Sequence, residues 1–123
     1  MTFIAKPKIS HPSLPKNELG LTTRDYEGAI STLCAGCGHD SVTAALIQAV
    51  YQHKSDPHRL AKMAGIGGSS KPPAYFASQA PRFNAVHGGR PSVTTGANAA
   101  NRELTYNGGS GDGDSLSIGV GQF

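Results

Sequence analysis

Apolar residues recur along this chain with two different periods. From Asp40 to His53 they fall at Val42, Ala45, Leu46, Ala49 and Val50. This i, i+3, i+4, i+7, i+8 spacing predicts a helix with one buried stripe, capped by Asp40. Arg59–Gly65 reads as a short strand running into a Gly65–Ser70 loop, and Pro72-Pro73 stops a helix from starting there. Asn84–His87 is a second strand candidate. Thr94–Arg102, rich in Ala and Asn, predicts a close-packed helix, and Glu103–Tyr106 begins a strand that leads into Gly111-Asp112-Gly113-Asp114. Ser115–Phe123 starts a further helix. Strands alternate with helices, which predicts a parallel α/β fold. Ahead of all this, residues 1–24 hold Pro7, Pro12 and Pro15 without periodicity and read as an extended arm lying on a neighbour.

Composition narrows the class. The 16 glycines and 8 prolines are numerous, but the glycines cluster at Gly65–Gly68, Gly88–Gly89 and Gly108–Gly113, so they mark site loops rather than disorder. A net charge of +3 is spread thinly over 123 residues. No basic run interleaved with aromatics points to nucleic acid. No apolar stretch reaches membrane-spanning length, and Met1–Lys8 has neither the apolar core nor the cleavage site of a secretory signal. A cytoplasmic location without nucleic-acid or membrane partners is the expectation.

Two motifs carry chemistry. The 2 cysteines, Cys34 and Cys37, form a Cys-x-x-Cys pair just before the first helix, where the positive end of the helix dipole suits an anionic cluster. A zinc knuckle, a redox dithiol and a pair of inert thiols remain open beside it. The Gly111–Asp114 loop does not fit a calcium loop, because the closing twelfth position after Asp112 is Phe123. A dinucleotide fingerprint also fails there, since the next required glycine is Asp114. A Mg²⁺-bridged diphosphate and a plain surface turn remain.

Taken in order, the residues resemble the β subunit of 2-oxoacid:ferredoxin oxidoreductases, especially the 2-oxoglutarate type. The resemblance runs from about Asp25 to Phe123. It rests on Asp25-Tyr26-Glu27-Gly28-Ala29, Thr32-Leu33-Cys34-Ala35-Gly36-Cys37-Gly38-His39-Asp40, Gly65-Ile66-Gly67 with Ser69-Ser70-Lys71, His87-Gly88, Thr95-Gly96-Ala97-Asn98 and Ser110-Gly111-Asp112-Gly113-Asp114-Ser115. It implies a thiamine diphosphate-binding fold, a doubly wound and mostly parallel sheet, with residues 25–123 as the N-terminal part of the pyrophosphate-binding domain. It also implies thiamine diphosphate, Mg²⁺ and a 4Fe-4S cluster as cofactors, and an α subunit, ferredoxin, a 2-oxoacid and coenzyme A as partners. The implied reaction is oxidative decarboxylation of 2-oxoglutarate to succinyl-CoA, with electrons passed through the cluster to ferredoxin. A pyruvate-specific enzyme of the same family and an inactive structural or interaction fragment are the alternatives.

The same resemblance assigns residues. Cys34 and Cys37 would be cluster thiolates, and Asp112 would bind Mg²⁺. Gly67, Ser69, His87, Gly111, Asp112, Gly113 and Asp114 would hold the cofactor, while Lys71 and His87 would serve catalysis, Lys71 near the carboxylate of the 2-oxoacid. Gly68 stands where the family carries its third cluster cysteine, and Gly89 shifts the family's His-Gly-Arg arginine by one residue. Asn107-Gly108-Gly109 interrupts a strand that is usually aliphatic. Neither the family's Asn-Asn pair after the metal loop nor its fourth cluster cysteine occurs in the sequence, so the chain reads as an N-terminal fragment.

Overall fold

A computed structural model describes residues 11–122. The first ten residues of the expected arm, and Phe123 at the end of the last expected helix, lie outside them. Three parallel strands, β1 (Leu60–Ala64), β2 (Arg82–Asn84) and β3 (Thr105–Gly108), pair in the order β2-β1-β3. Met63 is aligned with Phe83 on one side and Gly108 on the other. The central strand is buried at all five positions, as expected where a parallel strand is covered on both faces. Helix α1 (Gly38–Gln52) precedes the sheet, and α2 (Arg90–Ala100) connects β2 to β3. The parallel α/β reading is borne out.

The strand through Asn107-Gly108 forms despite its poor propensity, because packing requires a glycine there. A Cβ on Gly108 would lie 2.9 Å from the Met63 carbonyl oxygen and 2.5 Å from Arg90 Nη1. The arginine that approaches Gly108 so closely enters α2 at its first residue. Tertiary contact here overrides the local preference against glycine in a strand.

The core gathers Tyr26, Val50, Leu60, Phe76, Ala77 and Ala80, with Leu21, Leu46, Ile47 and Tyr51 packed against it. Tyr26 is fully buried, yet its hydroxyl donates to the Ser55 carbonyl at 2.7 Å and accepts from Asn17 Nδ2 at 3.0 Å. These bonds, together with Tyr51 Oη donating to the Pro15 carbonyl and a Lys54–Glu18 ion pair, tie the described part of the arm to this chain's own α1 end. Lys62, in the middle of β1, is also buried; its Nζ donates to the Phe76 and Ala77 carbonyls at 2.7 Å each. Ala77 sits at φ +43°, a left-handed conformation unusual for alanine, and the two lysine bonds clamp the turn that contains it.

The elements differ from the expected pattern in detail. Helix α1 begins two residues early, with Cys37 at its N-cap, which places Asp40 in the first turn and not at the cap. Its buried positions are Thr43 and Val50, with Leu46 and Ile47 half-buried, whereas Val42 is 55% exposed. Thr43 can be buried because its hydroxyl donates to the His39 carbonyl at 2.9 Å. β2 occupies Arg82–Asn84, not Asn84–His87, and Ala85 adds one more bond to Ala64 before the chain turns away. The last expected helix is a π-helical turn, Gly113–Ile118, followed by a 3₁₀ turn, Val120–Gln122.

Candidate active site

Parallel strands send their carboxyl ends to one edge of the sheet, where open α/β folds bind ligands. From β1 comes the Gly65–Ser70 loop, from β2 the Ala85–Gly89 segment, and from β3 the Gly109–Asp114 loop. Together with the start of α1 they enclose a cavity of about 370 Å³. His39, Gly67, Gly68, Ser69, His87 and the run Gly111–Asp114 all line it. Seven residues singled out in the sequence, Gly67, Ser69, His87, Gly111, Asp112, Gly113 and Asp114, thus meet in one place. Close backbone approach makes this possible: a Cβ on Gly109 would lie 2.6 Å from the Ser69 carbonyl oxygen, and one on Gly65 2.8 Å from Asp114 Oδ2.

The two aspartates of the loop have opposite environments. Asp114 is 4% exposed and accepts from every loop of the site. Its Oδ1 lies 2.6 Å from both His87 Nδ1 and the Gly88 N–H; its Oδ2 accepts from Ser110 Oγ at 2.8 Å and Ser70 Oγ at 3.4 Å. Burial alone pushes its carboxyl up, but the bonds from Ser110, Gly88 and His87 outweigh that and hold it below the usual carboxylate value. Asp112 is exposed at the start of the π turn, and its carboxylate has no hydrogen-bond or ion-pair partner among the described residues. One carboxylate therefore braces the loops, and the other is left for a ligand.

His87 donates or shares a proton at Nδ1 with Asp114, which leaves Nε2 for chemistry in the cavity that the ring lines. Lys71 is placed elsewhere. It is exposed and lines a separate cavity of about 230 Å³ with Gly65, Ser70, Tyr75, Arg82 and Asn84. A larger, shallow groove of about 460 Å³ runs along α2 past Arg90, Thr94, Asn98 and Tyr106, but it contains none of the carboxylates or histidines.

Cys34 is an exposed free thiol and Cys37 a half-buried one. The Cys37 N–H donates to the Cys34 carbonyl at 3.0 Å, which closes a turn before α1. Cys37 Sγ lies 3.4 Å from His39 Nδ1, and His39 Nε2 lies 2.7 Å from Ser69 Oγ. A Cβ on Gly68 would fall 3.5 Å from the same His39 ring. The fold thus brings position 68 against the histidine that touches Cys37, but glycine offers no ligand. Among the described residues no group of three or more His, Cys, Asp or Glu is arranged to hold a metal ion. Sequence reasoning did not anticipate that His39 would link the pair to Ser69 and line the cavity; its position two residues after Cys37 was the only signal.

No family model matches the chain. It is 36% identical over 90 residues to the 2-oxoacid:ferredoxin oxidoreductase subunit beta of Saccharolobus solfataricus, an alignment covering 73% of this chain and 30% of that protein. It is 32% identical over 116 residues to the 2-oxoglutarate oxidoreductase subunit KorB of Mycobacterium tuberculosis, covering 88% and 30% respectively. The fold superposes on a 2-oxoglutarate:ferredoxin oxidoreductase from Magnetococcus marinus, solved with 2-oxoglutarate, coenzyme A and succinyl-CoA bound, with a TM-score of 0.77 and 30% identity over 91% of this chain and 38% of that one. The chain is a homologue of 2-oxoacid:ferredoxin oxidoreductase β subunits. It spans about a third of the length of the relatives it matches. Those relatives are oxidoreductase subunits. Among the described residues of this β-subunit homologue, no helix is long and apolar enough to cross a membrane.

Proposed function

We propose that the chain forms part of the β subunit of a thiamine diphosphate-dependent enzyme that oxidatively decarboxylates 2-oxoglutarate to succinyl-CoA, working with an α subunit and ferredoxin. The observation that carries this reading is the convergence of Gly67–Ser69, His87 and Gly111–Asp114 at the carboxyl ends of three parallel strands. The donor set suits a Mg²⁺-bridged diphosphate. Mg²⁺ needs few protein ligands, and Asp112 supplies one hard carboxylate without a competing partner. Glycine on either side of it keeps the backbone open to a phosphate. Bound thiamine diphosphate supplies the electron sink for decarboxylation. His87, oriented through Nδ1 by Asp114, offers Nε2 to accept or donate a proton in the cavity, whereas Lys71, which lines a separate cavity, is given no role beside it. The names of the KorB relative and the Magnetococcus structure support 2-oxoglutarate over pyruvate.

A four-iron cluster does not fit this chain's own donors, which are two thiols with glycine at the third position. No electron transfer step is assigned to them.

Titration calorimetry with Mg²⁺ and thiamine diphosphate tests the reading. Heat that saturates, requires Mg²⁺ and disappears in Asp112→Ala supports it; Mg²⁺-independent heat, or none, overturns it. Combined with an α subunit, the chain is expected to release CO₂ from 2-oxoglutarate in preference to pyruvate, and the reverse preference would move the assignment to the pyruvate-specific alternative.

A further inference from the structure

We propose that the groove between α2 and β3 is a second ligand site, taking a small organic monocarboxylate on Arg90. The arginine is held in place. Its side chain lies against β3 where Gly108 leaves room: a Cβ on that glycine would lie 2.5 Å from Nη1 and 3.2 Å from Cδ. Arg90 Nε is buried with no hydrogen-bond partner, and no ion pair engages the guanidinium among the described residues. No acidic residue stands in the first turn of α2 to offset the charge. Part of a cation is thus taken out of water without an anion beside it, a cost that an oxyanion bound against the guanidinium would offset.

The donors left in the groove decide the class of ligand. Thr94 Oγ1 donates to the Arg90 carbonyl at 2.8 Å and Thr95 Oγ1 to the Pro91 carbonyl at 2.9 Å, while Tyr106 Oη bonds to the Ala97 and Asn101 carbonyls at 2.8 Å each. These hydroxyl hydrogens are committed to the backbone, so what the three side chains have left for a ligand is lone pairs. Donation falls to Arg90 and the Asn98 amide, both of which line the groove. One positive charge with few further donors suits one carboxylate, which a planar guanidinium takes through two N–H groups. A phosphate dianion would set its second charge against hydroxyl lone pairs.

The rest of the lining suits the body of an organic acid. Pro91, Leu104 and the Tyr106 ring supply apolar surface, and small-molecule sites combine such walls with a few placed polar groups. The groove, of about 460 Å³, has no Asp or Glu in its lining and shares no residue with the cavity at the strand ends. Neither Mg²⁺ nor thiamine diphosphate takes part, so this site stands or falls apart from the preceding assignment.

Benzoate, its neutral isostere benzamide and inorganic phosphate are titrated separately into the chain, and the Arg90 Nε–Hε signal and the backbone amides are followed by NMR. Benzoate is expected to shift the Arg90 signal and the amides of Thr94, Thr95, Asn98 and Tyr106 saturably, with roughly millimolar affinity. It should bind at least about tenfold more tightly than benzamide, and Arg90→Gln should weaken it by a similar factor. Benzamide or phosphate binding as tightly as benzoate, benzoate shifts centred outside the groove, or no saturable shift at all overturns the proposal. If Arg90→Gln does not fold, the comparison of benzoate with benzamide and phosphate on the wild-type chain decides alone.

Discussion

Asp114 accepts four hydrogen bonds from residues of three separate loops, so its loss is felt by all of them. In Asp114→Asn the amide would confront hydroxyl and N–H donors that expect a carboxylate, and the variant should lose roughly 2–4 kcal/mol of stability in denaturant titrations. The pH dependence follows from the sign of the shift. The folded carboxyl is held below its ordinary value, so the unfolded chain binds the proton first as pH falls. The stabilisation is then fully present above the unfolded value of about 4 and is lost as pH drops through the lower folded one. Acid unfolding of the wild type should show this loss, and Asp114→Asn should flatten it; identical acid limbs would contradict the role. Asp112→Ala touches no internal partner and should change stability by less than about 0.5 kcal/mol while removing Mg²⁺-dependent ligand binding. The motif made both aspartates candidates. Which of them is buried was not legible in Gly-Asp-Gly-Asp, because it depends on Ser70 and His87, which are 44 and 27 residues away.

At the level of elements, periodicity located α1, β1 and β3, while long-range contacts set their details. The stripe read as Val42, Ala45, Leu46, Ala49 and Val50 is rotated toward Thr43 and Ile47, since a threonine that bonds its own helix backbone can enter the interior and small alanines exert little pull. The position of β2 follows from its register against Met63, and no local signal in Arg82–Asn84 announces it. The final helix becomes a π turn where Gly119 packs on the Asp114 carbonyl: a Cβ there would lie 2.4 Å from that oxygen. Gly108→Val is expected to destabilise the chain by roughly 1–3 kcal/mol through collision with Met63 and Arg90, despite valine's higher strand propensity. A stabilised Gly108→Val variant in thermal melts would show that propensity, and not packing, governs β3.

Across the whole molecule, apolar surface is left uncovered. Among the described residues Ile30, Val86, Leu116, Val120, Val42 and Phe83 are all exposed, α2 has no buried residue, and β2 and β3 are the outer strands of a three-stranded sheet. Surfaces of this kind drive association. Light scattering should therefore show self-association rising with concentration, reduced by Phe83→Lys together with Leu116→Lys; a strictly monomeric chain at high concentration would contradict this. The cavity at the strand ends is where the fold brings the sequence motifs together, and amide chemical shifts on adding Mg²⁺ and thiamine diphosphate probe it most directly. The account predicts saturable, Mg²⁺-dependent shifts centred on Gly67–Ser69, His87 and Gly111–Asp114, lost in Asp112→Ala. Shifts centred instead on the Arg90–Tyr106 groove, or none at these loops, would contradict it.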